Sequence, residues 1–269
     1  MNDASAGARP GKPVGAYVIN LERATERRER IAAQLDARKI PYRIFPAVDG
    51  RRLDGATMAR AYDAASAVAN YREMSRGEVA CALSHLGVYR RMLEDGIPCA
   101  LVLEDDALLG PGLEDVLAAL ASRFPAEEPA VVLLAHVEKY TRWGSEPLVG
   151  SVRLVRRYHE WWRAHGYFVT RGAARRMLEA RYPVTSAADH WSLFERHGIV
   201  KVWAVVPYCV GLSDLAADSS LEVHRAEKDL ADKSSLTLRK LVWHYGYRRF
   251  LHQLLVRPFL RVARQKRTW

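Results

Sequence analysis

The sequence predicts an α/β fold, and three observations predict it. Short apolar runs such as Ala16-Tyr17-Val18-Ile19 and Ala100-Leu101-Val102-Leu103 lack polar alternation, so they read as strands buried on both faces. Segments of helical periodicity lie between such runs, the arrangement that builds βαβ units. The run from Cys99 then passes without a break into Glu104-Asp105-Asp106. Acids at the carboxyl end of a central strand stand where open α/β sheets place their ligands. Three adjacent carboxylates repel one another, and a hard divalent ion with oxygen ligands would offset them while sharing its other positions with phosphate. A solvated acidic turn is the plainer alternative.

Taken in order, Val14 to Asn20 is the first strand, rich in β-branched and aromatic residues. A helix follows from Thr25 to Arg38, with Ile31 and Leu35 facing inward and Arg27, Arg28 and Arg30 crowding its first turns. Pro41 to Ala47 is the second strand, closed by the turn Asp49-Gly50. Arg23, Arg27 and Arg28 offer planar forks that match diphosphate oxygens, although a solvated helix face would look the same. Asp49 suits a base or ribose contact as well as turn formation.

Ser75-Arg76-Gly77-Glu78 is a capping box that starts a helix running to about Asp95, where Gly96 stops it. Cys81, His85, Tyr89 and Met92 share one stripe of that helix. His85 is either an interior residue or, with Ser84, a group reaching a nucleotide. Leu113 to Ser122 reads as helix and Ala130 to Ala135 as a buried strand. Residues 136–164 read as irregular and rich in Arg, Trp and Tyr. Trp143, Trp161 and Trp162 there suit a sugar's apolar face or ordinary packing. Gly166 to Thr170 is a strand and Arg171 to Ala180 a helix. Asp189 opens a further helix, where the macrodipole favours its ionised form, with capping as the structural alternative. Val200 to Val206 is another strand. No phosphate loop, Gly-rich dinucleotide fingerprint or repeat is present.

The chain of 269 residues is long enough for one large α/β domain with appendages. Three widely spaced cysteines form neither a zinc pattern nor a disulfide framework, which predicts a reducing compartment. Residues 1–13 read as a disordered leader, and no apolar run approaches the roughly 18 residues of a membrane span. Ten of the 41 basic residues lie in 233–269, a stretch without a single acid, so residues 1–232 carry 31 charges of each sign. That asymmetry argues against a nucleic-acid binder and for a tail that meets an anionic surface. In the tail Trp243, Tyr247, Phe250 and Leu254 recur at helical spacing among the bases, the pattern of a helix lying on an anionic membrane. Pro258 interrupts it, and packing on the domain is the alternative. The expected division is therefore leader, catalytic domain 14–232, and basic helical tail 233–269.

Several segments together resemble glycosyltransferase family 25, the lipooligosaccharide-biosynthesis galactosyltransferases and their collagen-modifying relatives. They are Val18-Ile19-Asn20-Leu21-Glu22-Arg23 with Arg27-Arg28, Pro46-Ala47-Val48-Asp49-Gly50, Gly77-Glu78-Val79-Ala80-Cys81-Ala82-Leu83-Ser84-His85, and Ala100-Leu101-Val102-Leu103-Glu104-Asp105-Asp106. Gly166-Tyr167 and Asp189-His190 are weaker pieces, and the ordered set covers residues 14–215. The resemblance implies a Rossmann-like nucleotide-sugar transferase fold of GT-A type, a UDP-sugar donor with galactose as the sugar, and inversion at the anomeric carbon. It also implies a divalent metal ion (Mn2+ or Mg2+) on Asp106 and Asp189 as catalytic base. Donor contacts then fall on Asn20, Leu21, Arg23, Arg28, Asp49, Gly50, Ser84, His85, Glu104 and Asp105. The expected acceptor is a lipid-linked oligosaccharide or other surface glycan, met in the cytoplasm at the inner membrane face. A metal-dependent phosphoryl-transfer enzyme and a non-enzymatic module binding anionic surfaces compete with this reading. The first lacks a phosphate loop, and the charge-neutral body speaks against the second.

Overall fold

A computed structural model describes residues 14–158, 160–213 and 262–265. In chain order the elements are β1 (Ala16–Asn20), α1 (Thr25–Ala37), β2 (Tyr42–Pro46), a 3-10 turn at Gly50–Arg52, α2 (Gly55–Ala61), α3 (Ala64–Asn70) and α4 (Arg76–Glu94). There follow β3 (Cys99–Glu104), β4 (Ala107–Leu109), α5 (Leu113–Arg123), β5 (Ala130–Leu133), β6 (Lys139–Val149), β7 (Val152–Arg157) and β8 (Gly166–Thr170). The remainder is α6 (Arg171–Ala180), α7 (Trp191–Arg196), β9 (Lys201–Val206), β10 (Val210–Leu212) and β11 (Val262–Arg264).

Among the described residues nine strands form one mixed sheet in the order β11-β6-β7-β9-β5-β8-β3-β1-β2, and β4 pairs with β10 in a separate ribbon. β1 lies between β2 and β3, parallel to both, while β8 runs antiparallel to β3. Alternate residues of the central strands enter opposite cores. Tyr17, Ile19, Ala100, Val102, Tyr167 and Val169 pack with α4, α6 and α7. Val18, Leu101, Leu103 and Phe168 pack with Ile31 and Leu35 of α1 and with Leu113, Leu117 and Leu120 of α5. Two covered faces are the reason these strands read as unbroken apolar runs.

The capping box at the start of α4 is present: the Glu78 amide donates to Ser75 Oγ at 3.3 Å, and the Ser75 amide to Glu78 Oε2 at 2.9 Å. Its far end stops at Gly96, whose φ of +65° favours a residue without Cβ. Gly50 packs against this helix's N-terminus so closely that a Cβ there would lie 2.9 Å from Gly77 Cα.

One expectation needs correction. Residues 136–164 are not irregular throughout, since β6 and β7 form an antiparallel hairpin turning at Gly150, φ +52°. The hairpin lies towards one side of the sheet, is bulged, and exposes much of β6. Its sequence accordingly shows no apolar alternation. The expected helical tail, 233–269, lies outside the described residues except at 262–265. Where the chain returns, Val262–Arg264 is a strand antiparallel to Lys139–Thr141 of β6, and Gln265 Oε1 accepts the Val137 amide at 3.0 Å. Helices α2 and α3 and the β4–β10 ribbon carry no strong sequence signal. Among the described residues no helix is long and apolar enough to cross a membrane.

Candidate active site

The carboxyl ends of β1 and β3 deliver the acids and their partners to one place. Glu104 is the last residue of β3, and Asp105 and Asp106 turn the chain into β4. Asn20, ending β1, donates through Nδ2 to Asp105 Oδ2 at 2.7 Å and to the Ala24 carbonyl at 3.0 Å. Arg27, from the first turn of α1, approaches Asp105 Oδ1 at 3.5 Å. Burial raises the Asp105 pKa against these two partners, with the Glu104 charge adding to the rise. Asp106 is 8 % exposed, and its Oδ1 is buried without a hydrogen-bond partner. Burial, then the Glu104 and Asp105 charges, push it up to about 7. Its carbonyl accepts the Ser213 amide at 2.9 Å, which fastens the turn under the end of β10.

Glu104 backs onto buried side chains. His85 Nε2 lies 3.4 Å from Glu104 Oε1, His85 Nδ1 lies 2.8 Å from Tyr167 Oη, and Tyr89 Oη lies 2.7 Å from the same hydroxyl. His165 gives its carbonyl to the Glu104 amide at 3.2 Å. Burial lowers the pKa of its imidazole to about 4, so it is neutral near pH 7. Cys81, His85 and Glu104 also bring three ligand atoms within 4.8 Å of one another. Thiolate, imidazole and carboxylate together are zinc-type donors, unlike the oxygen-only run Glu104-Asp105-Asp106.

Around this centre the other expected donor residues divide. Arg23 forms an ion pair with Asp49, whose Oδ1 also accepts the Arg51 amide at 3.0 Å and shapes the turn before Gly50. Arg28 lies on α1, half-buried and with no ion pair among the described residues, and the Leu21 carbonyl closes the turn onto the Ala24 amide. Ser84 is 1 % exposed. It donates to the Ala80 carbonyl at 2.8 Å and accepts the Val48 amide at 2.9 Å, so it positions the Asp49 loop from within.

Asp189 comes from the opposite side of the sequence. Capping is not its role: His190 occupies the N-cap of α7, without a side-chain cap. Instead Asp189 Oδ2 accepts the Arg163 amide at 3.0 Å. Arg163 has φ +86°, a conformation costly for a residue with a side chain and concentrated at functional sites. The Trp191 indole donates to the Arg163 carbonyl at 3.0 Å, completing the clasp. Arg163, His165 and Tyr89 were absent from the sequence-predicted site. Tyr89 left a signal only as a member of the Cys81–His85 stripe, and Tyr167 through the Gly166-Tyr167 pair.

With this geometry in view, comparison with known proteins is informative. A family model described as glycosyltransferase family 25 (LPS biosynthesis protein) matches residues 14–192, well over half of the chain. The lacto-N-neotetraose biosynthesis glycosyltransferase LgtE of Neisseria meningitidis serogroup B is 31 % identical over 66 % of this chain and 65 % of its own length. LgtB of Neisseria gonorrhoeae is 39 % identical over 44 % of this chain and 42 % of its own. A bovine relative, 28 % identical over 61 % of this chain and 28 % of its own, carries the description probable inactive glycosyltransferase 25 family member 3. The chain thus spans just under two thirds, or less, of these relatives.

Proposed function

Because the chain belongs to glycosyltransferase family 25, we propose that it moves a galactose from a UDP donor to a surface-glycan acceptor, with inversion and with help from a divalent ion. The observation that carries this reading is the buried, partnerless Asp106 oxygen at the end of β3, beside an Asp105 already held by Asn20 and Arg27. The all-oxygen donor set and that orphaned atom fit manganese or magnesium, with Asp106 as ligand and Glu104 facing the sugar or ribose. When bound, the ion supplies positive charge opposite the diphosphate.

This chain's own residues do the rest. Arg23, Arg27 and Arg28 border the donor side and offer guanidinium forks to phosphate oxygens. Asp49 and the backbone at Gly50 form a polar turn suited to the base or ribose. In the transfer the acceptor oxygen bonds to the anomeric carbon as the bond from that carbon to the diphosphate breaks. UDP departs, and the acceptor proton goes to Asp189. The lacto-N-neotetraose biosynthesis names of the neisserial relatives and the family's LPS biosynthesis description support an oligosaccharide acceptor. The ten bases and absent acids of residues 233–269 suit an anionic bilayer beside a lipid-linked acceptor.

The deciding experiment follows slow hydrolysis of a UDP-sugar panel. Turnover of UDP-galactose that stops with a chelator and returns with manganese or magnesium is expected. Asp106→Asn should weaken metal-dependent nucleotide binding while leaving the circular dichroism spectrum intact. Full turnover in chelator would remove Asp106 from this role.

A further inference from the structure

A cavity of about 120 Å3 opens between the loop linking α3 to α4 and the segment that leads into α7. Its aromatic wall is a triad drawn from three separate stretches. Trp162 and His190 stack with ring centroids 4.5 Å apart and planes at 25°. Tyr71 stands 5.6 Å from Trp162 and 5.7 Å from His190, yet remains 60 % exposed. The polar wall consists of Ser186 and the bidentate Arg72–Glu78 pair, joined at 3.1 and 2.5 Å.

Hydrogen bonds from outside the cavity lock these stretches together. Asn70 donates to the Thr185 carbonyl at 3.1 Å. Arg181, 2 % exposed, donates to the Ser186 and Ala187 carbonyls at 2.6 and 3.1 Å. The Asp189–Arg163–Trp191 clasp holds the turn that presents Trp162. A small, preformed concavity with aromatic faces and a few fixed polar groups is the usual form of a small-molecule site.

We propose that this cavity is the acceptor subsite, taking one pyranose ring whose apolar face lies on the Tyr71–Trp162–His190 triad. The inference rests on the glycosyl-transfer reading above and adds to it the place where the acceptor ring sits. Aromatic faces suit the C–H face of a pyranose, while Ser186 and the Arg72–Glu78 pair meet its hydroxyls. Burial lowers the His190 pKa to about 4, so a neutral ring completes the stack. Asp189, the proposed base, immediately precedes His190 in the chain.

Saturation-transfer NMR with methyl β-glucoside, methyl β-galactoside and methyl β-N-acetylglucosaminide tests the assignment on the full chain. At least one should bind the wild type, and Trp162→Ala and Tyr71→Ala should each weaken it about tenfold, the loss of one aromatic contact. Tyr71 is exposed enough for its variant to fold even if Trp162→Ala does not. Trp143→Ala, removing a tryptophan 70 % exposed on β6, should change nothing. UDP affinity, measured alongside, should stay at the wild-type value in both cavity variants.

The proposal is overturned if none of the three glycosides binds, if Tyr71→Ala binds like the wild type, or if UDP affinity falls with glycoside affinity. That last result would give the cavity to the donor. Wild-type UDP-galactose hydrolysis is read separately, so a failed transfer reading and a failed subsite are told apart.

Discussion

At the scale of single residues, two carboxylates with similar burial have different surroundings. Asp106 stands among the charges of Glu104 and Asp105, whereas Asp189 holds a backbone amide in a costly conformation. Asp189→Asn should therefore cost about 10²-fold or more in turnover. UDP affinity should be near wild type and the melting temperature modestly lower, as steady-state kinetics, nucleotide titration and calorimetry would show. Normal turnover would reduce Asp189 to a clasp. Glu78 supplies a pH prediction. Burial opposes its charge, but the Arg72 guanidinium and the Ser75 amide and hydroxyl win and bring its carboxyl down to about 2 from 4.5. A depressed folded pKa means stability fully present above 4.5 and lost as pH falls towards 2. The melting-temperature gap between wild type and Glu78→Gln should accordingly be widest near neutrality and close across that acid range. The acids Glu104, Asp105 and Asp106 were legible because covalent order alone sets them at a strand end. The contacts behind them were not: His85 meets Tyr167 across 82 positions, a relation no local pattern encodes.

At the scale of elements, legibility followed burial. β1, β3 and β8 are covered on both faces and announced themselves, as did α4 through its capping box. The β6–β7 hairpin did not, because bulges and exposed positions remove the period on which strand recognition depends. The pieces Ala47-Val48-Asp49-Gly50 and Gly77-Glu78 were legible as separate motifs, and the structure shows them touching. Gly50 must lack a side chain because Gly77 Cα and the Arg76 carbonyl lie 2.9 and 3.0 Å from where its Cβ would be. Gly50→Ala should push the N-terminus of α4 away from the Asp49 turn, costing about 1–3 kcal/mol. Chemical denaturation would measure the loss, and nucleotide affinity should fall with it. An unchanged denaturation midpoint would mean that the turn yields freely.

At the scale of the molecule, the last described strand closes the sheet's far edge. A chain ending at residue 261 would expose the β6 edge at Lys139–Thr141 and strip the buried Val137 amide of its Gln265 partner. One such orphaned group costs about 1–3 kcal/mol. The truncated protein should melt lower and self-associate through the bared edge, measurable by calorimetry and light scattering. Equal stability and a clean monomer would show β11 to be dispensable. The tail's proposed meeting with an anionic bilayer thus has to be tested by charge reversal between 233 and 257, since deletion would damage the sheet as well. The same pairing has a bearing on synthesis. Thr141 leaves the ribosome well over a hundred residues before its partner Val262. The central strands can assemble while elongation continues, but the β6 edge waits until residues 262–264 have been made. Until then the nascent chain carries an open strand, and a chaperone that shields such edges would find its client in that interval.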